Sequence, residues 1–114
     1  MKKIIILTAF VISSLFTACQ SNTYEEITVV TNPTYTKNIE PIFKSQCTGC
    51  HATGTRFPNL DNYADVKLNC DSGDVICRID DPTVCFGGIM PTSGRMPQTT
   101  IDMIKLWKSQ GFVN

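Results

Sequence analysis

An all-α fold is what this sequence predicts, from three observations. Residues 37–47 carry Ile39, Ile42, Phe43 and Gln46 at helical spacing. Residues 99–111 repeat that spacing with Ile101, Ile104 and Trp107 and stop at Gly111, where left-handed geometry favours glycine. The only strand-like run is Ile27-Thr28-Val29-Val30, outside both segments.

In chain order, the first helix is predicted from Lys37 to Cys47, capped by Thr36 or Asn38. Pro41 fits because it lies near the first turn, where a missing N–H costs little. Residues 52–59, with Gly54 and Pro58, read as a loop. Asp61 or Asn62 then caps a short helix through Tyr63, Ala64, Val66 and Leu68, and a second short helix covers Asp74 to Ile79. From Asp80 to Gln98 the chain holds Pro82, Gly87, Gly88, Pro91, Gly94 and Pro97, too many breakers for regular structure. The last helix opens on Thr99-Thr100-Ile101-Asp102, close to a capping box. Trp107 and Phe112 read as core residues that pack on the first helix.

The N-terminus predicts export. Lys2-Lys3 precede an apolar stretch from Ile4 to Phe16, which is shorter than the roughly 20 residues a bilayer span needs. It ends in Leu15-Phe16-Thr17-Ala18-Cys19. That run resembles a bacterial lipoprotein signal cleaved before Cys19, with Phe16 where an aliphatic residue is usual. An ordinary signal peptide and an uncleaved anchor are the other readings, and all three export the chain. The domains expected are a lipoprotein signal peptide over residues 1–18, a flexible tether over 19–34 and one small domain over 35–114. Cleavage takes 18 of the 114 residues and leaves 96, with 8 basic against 10 acidic side chains. A chain of that size buries only roughly 65% of its unfolded surface. No basic patch invites nucleic acid.

The 35–114 domain carries Cys47-Thr48-Gly49-Cys50-His51, which predicts a haem domain. C-x-x-C-H is the attachment pattern of c-type haem. Two thiols at a helix end reach the two vinyl groups of one porphyrin, and the next residue turns its imidazole to the iron. His51 is the chain's single histidine. A zinc knuckle, a redox dithiol or a structural disulfide are the other readings of the cysteine pair.

Tyr35-Thr36-Lys37-Asn38-Ile39-Glu40-Pro41-Ile42-Phe43, followed by Cys47-x-x-Cys50-His51, resembles the opening of small monohaem class I-type cytochrome c domains, "I-x-P-I-F … C-x-x-C-H". Met90-Pro91-Thr92-Ser93-Gly94-Arg95-Met96-Pro97, then Ile101, Ile104, Trp107 and Gly111, resembles their closing "M-P-x-x-G-x-L … I … I … W … G". The resemblance covers residues 35–113. It implies a cytochrome c-like helical bundle around one covalent haem, with the terminal helices crossing near the haem edge. It also implies thioethers at Cys47 and Cys50, His51 as proximal ligand and a distal methionine after the middle helices. Three additional cysteines within residues 70–85 depart from the family pattern.

With one histidine, bis-histidine ligation within the chain is excluded, and Met90, Met96 and Met103 are the soft candidates for the sixth iron ligand. Met103 lies inside the last helix, where a core role fits better. Aligning Ile104 and Trp107 with the family puts Met90 in the ligand place and Met96 in an apolar packing place. Met90 is therefore the first choice and Met96 the second; a five-coordinate haem follows if both only fill the core. Cys70, Cys77 and Cys85 remain. In an oxidising compartment two of them pair, in one of three connectivities. A zinc site of Cys47, Cys50, Cys70 and Cys77 is the rival use of these thiols.

The function expected is a lipid-anchored carrier of single electrons between redox proteins of the cell envelope, on a periplasmic or outer-membrane face. It transforms no substrate. Lys44, Arg56 and Arg95 are candidates to meet haem propionates or partner carboxylates. A haem sensor or gas-binding module with a labile sixth ligand is the alternative, and a structural zinc or disulfide lipoprotein a third.

Overall fold

Thr34 starts the ordered helical structure, and it does so with its side chain. Its hydroxyl accepts from the amide of Lys37 at 3.4 Å, while Asn38 Oδ1 accepts from the Thr34 amide at 3.0 Å. This reciprocal pair satisfies two amides that a helix start leaves without partners. The cap is thus Thr34, not Thr36 or Asn38, and the helix begins two residues earlier than its apolar spacing suggests. A computed structural model describes residues 29–81 and 83–114. The expected signal peptide and Cys19 lie outside the described residues, as do Ile27 and Thr28; Val29 and Val30 adopt no regular structure.

The first helix, α1, opens as a π-helical turn over Tyr35–Ile39 and continues as the α-helix Glu40–Gln46. Pro41 stands in the first turn of the α-helical part, where its missing N–H breaks no bond. Three further helices follow: α2, Tyr63–Asp71; α3, Val75–Asp80; and α4, Gln98–Ser109. Among the described residues there is no strand, and no helix is long and apolar enough to cross a membrane. Asn62 caps α2 by accepting from the amide of Asp65 at 3.0 Å. Thr99 caps nothing: α4 starts one residue before it, at Gln98, with Pro97 in the N-cap position and no side-chain cap.

The core is built from the inner faces of all four helices. Tyr35, Ile39 and Phe43 of α1 meet Val66 and Cys70 of α2, Ile79 of α3, and Ile101, Ile104 and Trp107 of α4; Leu60, Met96 and Phe112 add from the loops. Burying an aliphatic or aromatic side chain of this kind stabilises by about 1.5–3 kcal/mol. Trp107, fully buried, is the centre of an aromatic cluster. Its ring lies 5.9 Å from Tyr35, 6.3 Å from Tyr63 and 4.8 Å from Phe112.

Two polar devices lock this cluster. The end of α4 is a Schellman motif: Gly111, at φ +85°, donates to Lys108 O at 3.1 Å and Phe112 donates to Trp107 O at 3.0 Å. The Trp107–Phe112 ring contact is the apolar clasp that accompanies such an ending. Beyond it, the Val113 carbonyl takes Trp107 Nε1 at 2.7 Å and the Tyr35 amide at 2.8 Å, and the Phe112 carbonyl takes the Tyr63 hydroxyl at 2.7 Å. The C-terminal segment therefore joins α1, α2 and α4. Part of the expected tether is docked as well: Pro33 is buried and the Thr31 carbonyl accepts from Gln110 at 2.8 Å. Between α3 and α4 the described residues, 81 and 83–97, carry no regular structure, in keeping with their prolines and glycines.

Candidate cofactor-binding site

The site begins where α1 runs out. The amide of Cys47 still bonds Phe43 O at 2.9 Å, and Thr48 Oγ1 returns to Lys44 O at 2.9 Å. The next turn closes on Cys47 itself, whose carbonyl takes the amides of Cys50 at 3.1 Å and His51 at 2.9 Å. One tight turn thus holds both thiols and the imidazole together. Cys47 is half-buried and Cys50 exposed. Desolvation pushes the Cys47 thiol up to about 11, the opposite of the depressed value an attacking redox dithiol needs.

The chain after His51 folds back on it. Leu60 donates to His51 O at 2.7 Å, and His51 Nδ1 lies 3.0 Å from the Pro58 carbonyl. A carbonyl only accepts, so Nδ1 is the donor in this contact and Nε2 is the ring nitrogen left outside it. Thr55 Oγ1 and Asp61 fasten the rest of the loop. The first meets the Cys50 carbonyl at 2.9 Å and the second the Thr53 amide at 2.7 Å. That amide bond holds the Asp61 carboxyl below the usual carboxylate range.

Cys47, Cys50 and His51 share a mainly apolar cavity of about 530 Å³ with Met90, a size suited to a sizeable organic ligand. Phe57, Pro58 and Leu60 supply apolar lining from the loop, Val75, Arg78 and Ile79 line it from α3, and Pro91 and Thr92 follow Met90. The Met90 amide donates to Arg78 O at 2.9 Å, which ties the methionine segment to α3.

Cys47, Cys50, His51 and Met90 therefore meet in one cavity, and the other candidate methionines and cysteines do not. Met96 is buried in the core and absent from the cavity wall; Met103 packs against the core from α4. Cys77 and Cys85 form a disulfide with Cα atoms 6.1 Å apart. Cys70 is a buried free thiol, pushed up to about 12 by desolvation. With the Cys77 sulfur taken, the four-sulfur zinc set is not assembled, and among the described residues no three His, Cys, Asp or Glu side chains converge on a metal position. Arg56 lines the cavity, whereas Lys44 pairs with Glu40 at 2.8 Å and Arg95 with Asp80 at 3.3 Å. The Pro58 carbonyl and Arg78 escaped the sequence reading. A backbone carbonyl has no side-chain signature, and Arg78 is an ordinary charged residue on a short helix.

Comparison of the chain with protein-family models, curated proteins and solved structures finds no match. The function must be argued from the cavity itself. Its donors suit haem. Two thiols and an imidazole lie on one turn, a thioether lines the same apolar space, and the carbonyl on Nδ1 leaves Nε2 to ligate, as metal-bound histidines require.

Proposed function

We propose that the cavity holds one haem c and that the protein carries single electrons between partner proteins of the cell envelope, anchored by a lipid on Cys19. The observation that carries this reading is the meeting of Cys47, Cys50, His51 and Met90 in one apolar cavity. When bound, haem supplies a one-electron Fe(III)/Fe(II) couple.

This chain's residues have distinct tasks. Cys47 and Cys50 would hold the group covalently, each thiol adding across one vinyl group to give a thioether with nothing released. His51 would hold the iron through Nε2, and Pro58 O fixes the ring through Nδ1 and would make it a better donor. Met90 offers a neutral thioether, which favours Fe(II) and raises the potential relative to a harder ligand. His51 and Met90 would both hold the group in either oxidation state, so that little rearrangement accompanies electron transfer. The apolar part of the lining would keep water away from it. The exposed edge beside Cys50 is the contact offered to a redox partner. No group in this scheme converts a substrate, so the protein is a carrier and not an enzyme.

A visible spectrum of protein matured in an exporting host tests the reading. Sharp α and β bands on reduction are expected for low-spin His/Met haem. A broad high-spin spectrum would favour the sensor alternative, and the absence of any haem band would overturn the haem assignment.

A further inference from the structure

Arg78 spends its charge on backbone, and on one particular stretch of it. Its Nη1 donates to Phe86 O at 2.7 Å and its Nη2 to Gly87 O at 2.8 Å. No carboxylate pairs with it among the described residues. The same residue's carbonyl receives the Met90 amide at 2.9 Å. One residue of α3 therefore grips the methionine loop at three points, two through the fork of the guanidinium and one through its backbone. Its neighbour Cys77 adds the covalent link to Cys85.

The loop is shaped to admit this fork. Gly87 has φ +101°, a conformation L side chains rarely adopt, and a Cβ there would overlap the guanidinium. Phe86 is 97% exposed, so its side chain contributes almost no packing that could hold the loop instead. The described residues 83–97 have no helix or strand of their own. Met96 anchors the far end of this segment in the core, and residues 85–90 are tied to α3.

We infer that Arg78 is a positioning residue for Met90: by clamping the Phe86 and Gly87 carbonyls it holds the methionine in the cavity wall. The inference rests on the haem reading, in which Met90 is the distal iron ligand. Arg78 also lines the cavity, but both of its guanidinium hydrogen bonds go to the loop, so its role is exerted through the loop. Charge-assisted bonds from a planar fork suit the task, since two carbonyls are fixed at once and in register.

The test uses the haem-loaded protein and three substitutions. Arg78→Gln removes the charge and the fork. Gly87→Ala displaces the guanidinium from the other side. Lys108→Ala is the stability control: Lys108 donates to Cys70 O at 2.8 Å and Asp71 O at 2.9 Å, and it does not line the cavity. The readouts are the sulfur-to-iron band at the red end of the Fe(III) spectrum and carbon monoxide uptake by Fe(II). Arg78→Gln and Gly87→Ala should each weaken the band and raise carbon monoxide uptake about tenfold, the factor that loss of one charge-assisted bond produces. Arg78→Lys, which keeps charge without the fork, should fall between. Lys108→Ala should lower the melting temperature and leave both readouts alone.

Wild-type behaviour in Arg78→Gln overturns the clamp, and so does an equal change in Lys108→Ala. If Arg78→Gln yields no loaded protein, Gly87→Ala decides: a weakened band supports the clamp and an unchanged one overturns it. A wild-type protein without haem or without the band overturns the reading beneath the inference and removes the clamp's purpose with it.

Discussion

His51 Nδ1 and the Pro58 carbonyl stand 3.0 Å apart, and this contact decides which nitrogen of the chain's single histidine can bind a metal. The loop between them exists to make the contact, since Leu60, two residues on, also returns its amide to His51 O. The imidazole is oriented before any iron arrives. Protein matured with a haem-attachment pathway should therefore show a haem-stained band at the monomer position on a denaturing gel. Cys47→Ala with Cys50→Ala should remove the band. A band that survives the double change would place the covalent link elsewhere.

The thiols outside the motif have separate fates. Cys77 and Cys85 are joined across a separation of 8 residues, while Cys70 is sealed in the core. Alkylation of the unreduced native protein should leave all three unlabelled. Unfolding without reductant should expose Cys70 alone. Closing a loop this short constrains the unfolded chain by about 2.5 kcal/mol, so Cys77→Ala with Cys85→Ala should lose about that much stability. Labelling of Cys77 or Cys85 before reduction would refute the pair.

Asp80 joins three parts of the fold: it ends α3, takes Lys105 of α4 at 2.7 Å and Arg95 of the loop at 3.3 Å. The hydrogen bond from Lys105 is the main cause holding its carboxyl below the usual range. A carboxyl depressed in the folded state stabilises above its unfolded pKa, about 3.9, and that contribution fades as pH falls toward the lower folded value. Acid melting curves should show it. Asp80→Asn should melt lower at neutral pH and differ less from wild type as the solution is acidified below about pH 4. A difference constant across that range would assign the loss to something other than charge.

The helices were legible because each carries a period and a stop: the Ile101, Ile104 and Trp107 spacing and the Gly111 ending describe α4 almost fully. Its start was not, because Pro97 takes the N-cap position and the Thr99 signal goes unused. At α1, Thr34, Thr36 and Asn38 are all competent caps, and only the backbone geometry selects Thr34. The site divides the same way. Cys47, Cys50 and His51 are neighbours in sequence and so announce themselves, while Met90 arrives from a distant loop. What holds it, Arg78 on the Phe86 and Gly87 carbonyls, is a long-range contact between a side chain and anonymous backbone. The disulfide was one of three connectivities. Cys70 is excluded because α2 turns it into the core.

The lipid anchor is testable without reference to the fold. If Cys19 is the mature, lipidated N-terminus, Cys19→Ser should release the protein from membranes and leave its haem spectrum unchanged. Persistence in the membrane fraction would place the anchor elsewhere.

Met90 and Met96 are the sharpest contrast in the molecule. Met90 lines the cavity with His51 and is tied to α3 by its amide. Met96 is 5% exposed and packs in the core with residues of all four helices. The two truncations should therefore fail in different ways. Met90→Ala should abolish the sulfur-to-iron band, open Fe(II) to carbon monoxide and lower the potential, because a thioether that favours Fe(II) is gone. Its cost in folding stability should be the smaller of the two. Met96→Ala should keep the band and lose about 2–5 kcal/mol, since it leaves a hole in the core. Equilibrium denaturation and the two optical spectra, taken together, separate these outcomes. The reverse pattern would make Met96 the ligand. An unchanged spectrum in both variants would leave the iron without a methionine and put the sensor reading ahead of electron transfer.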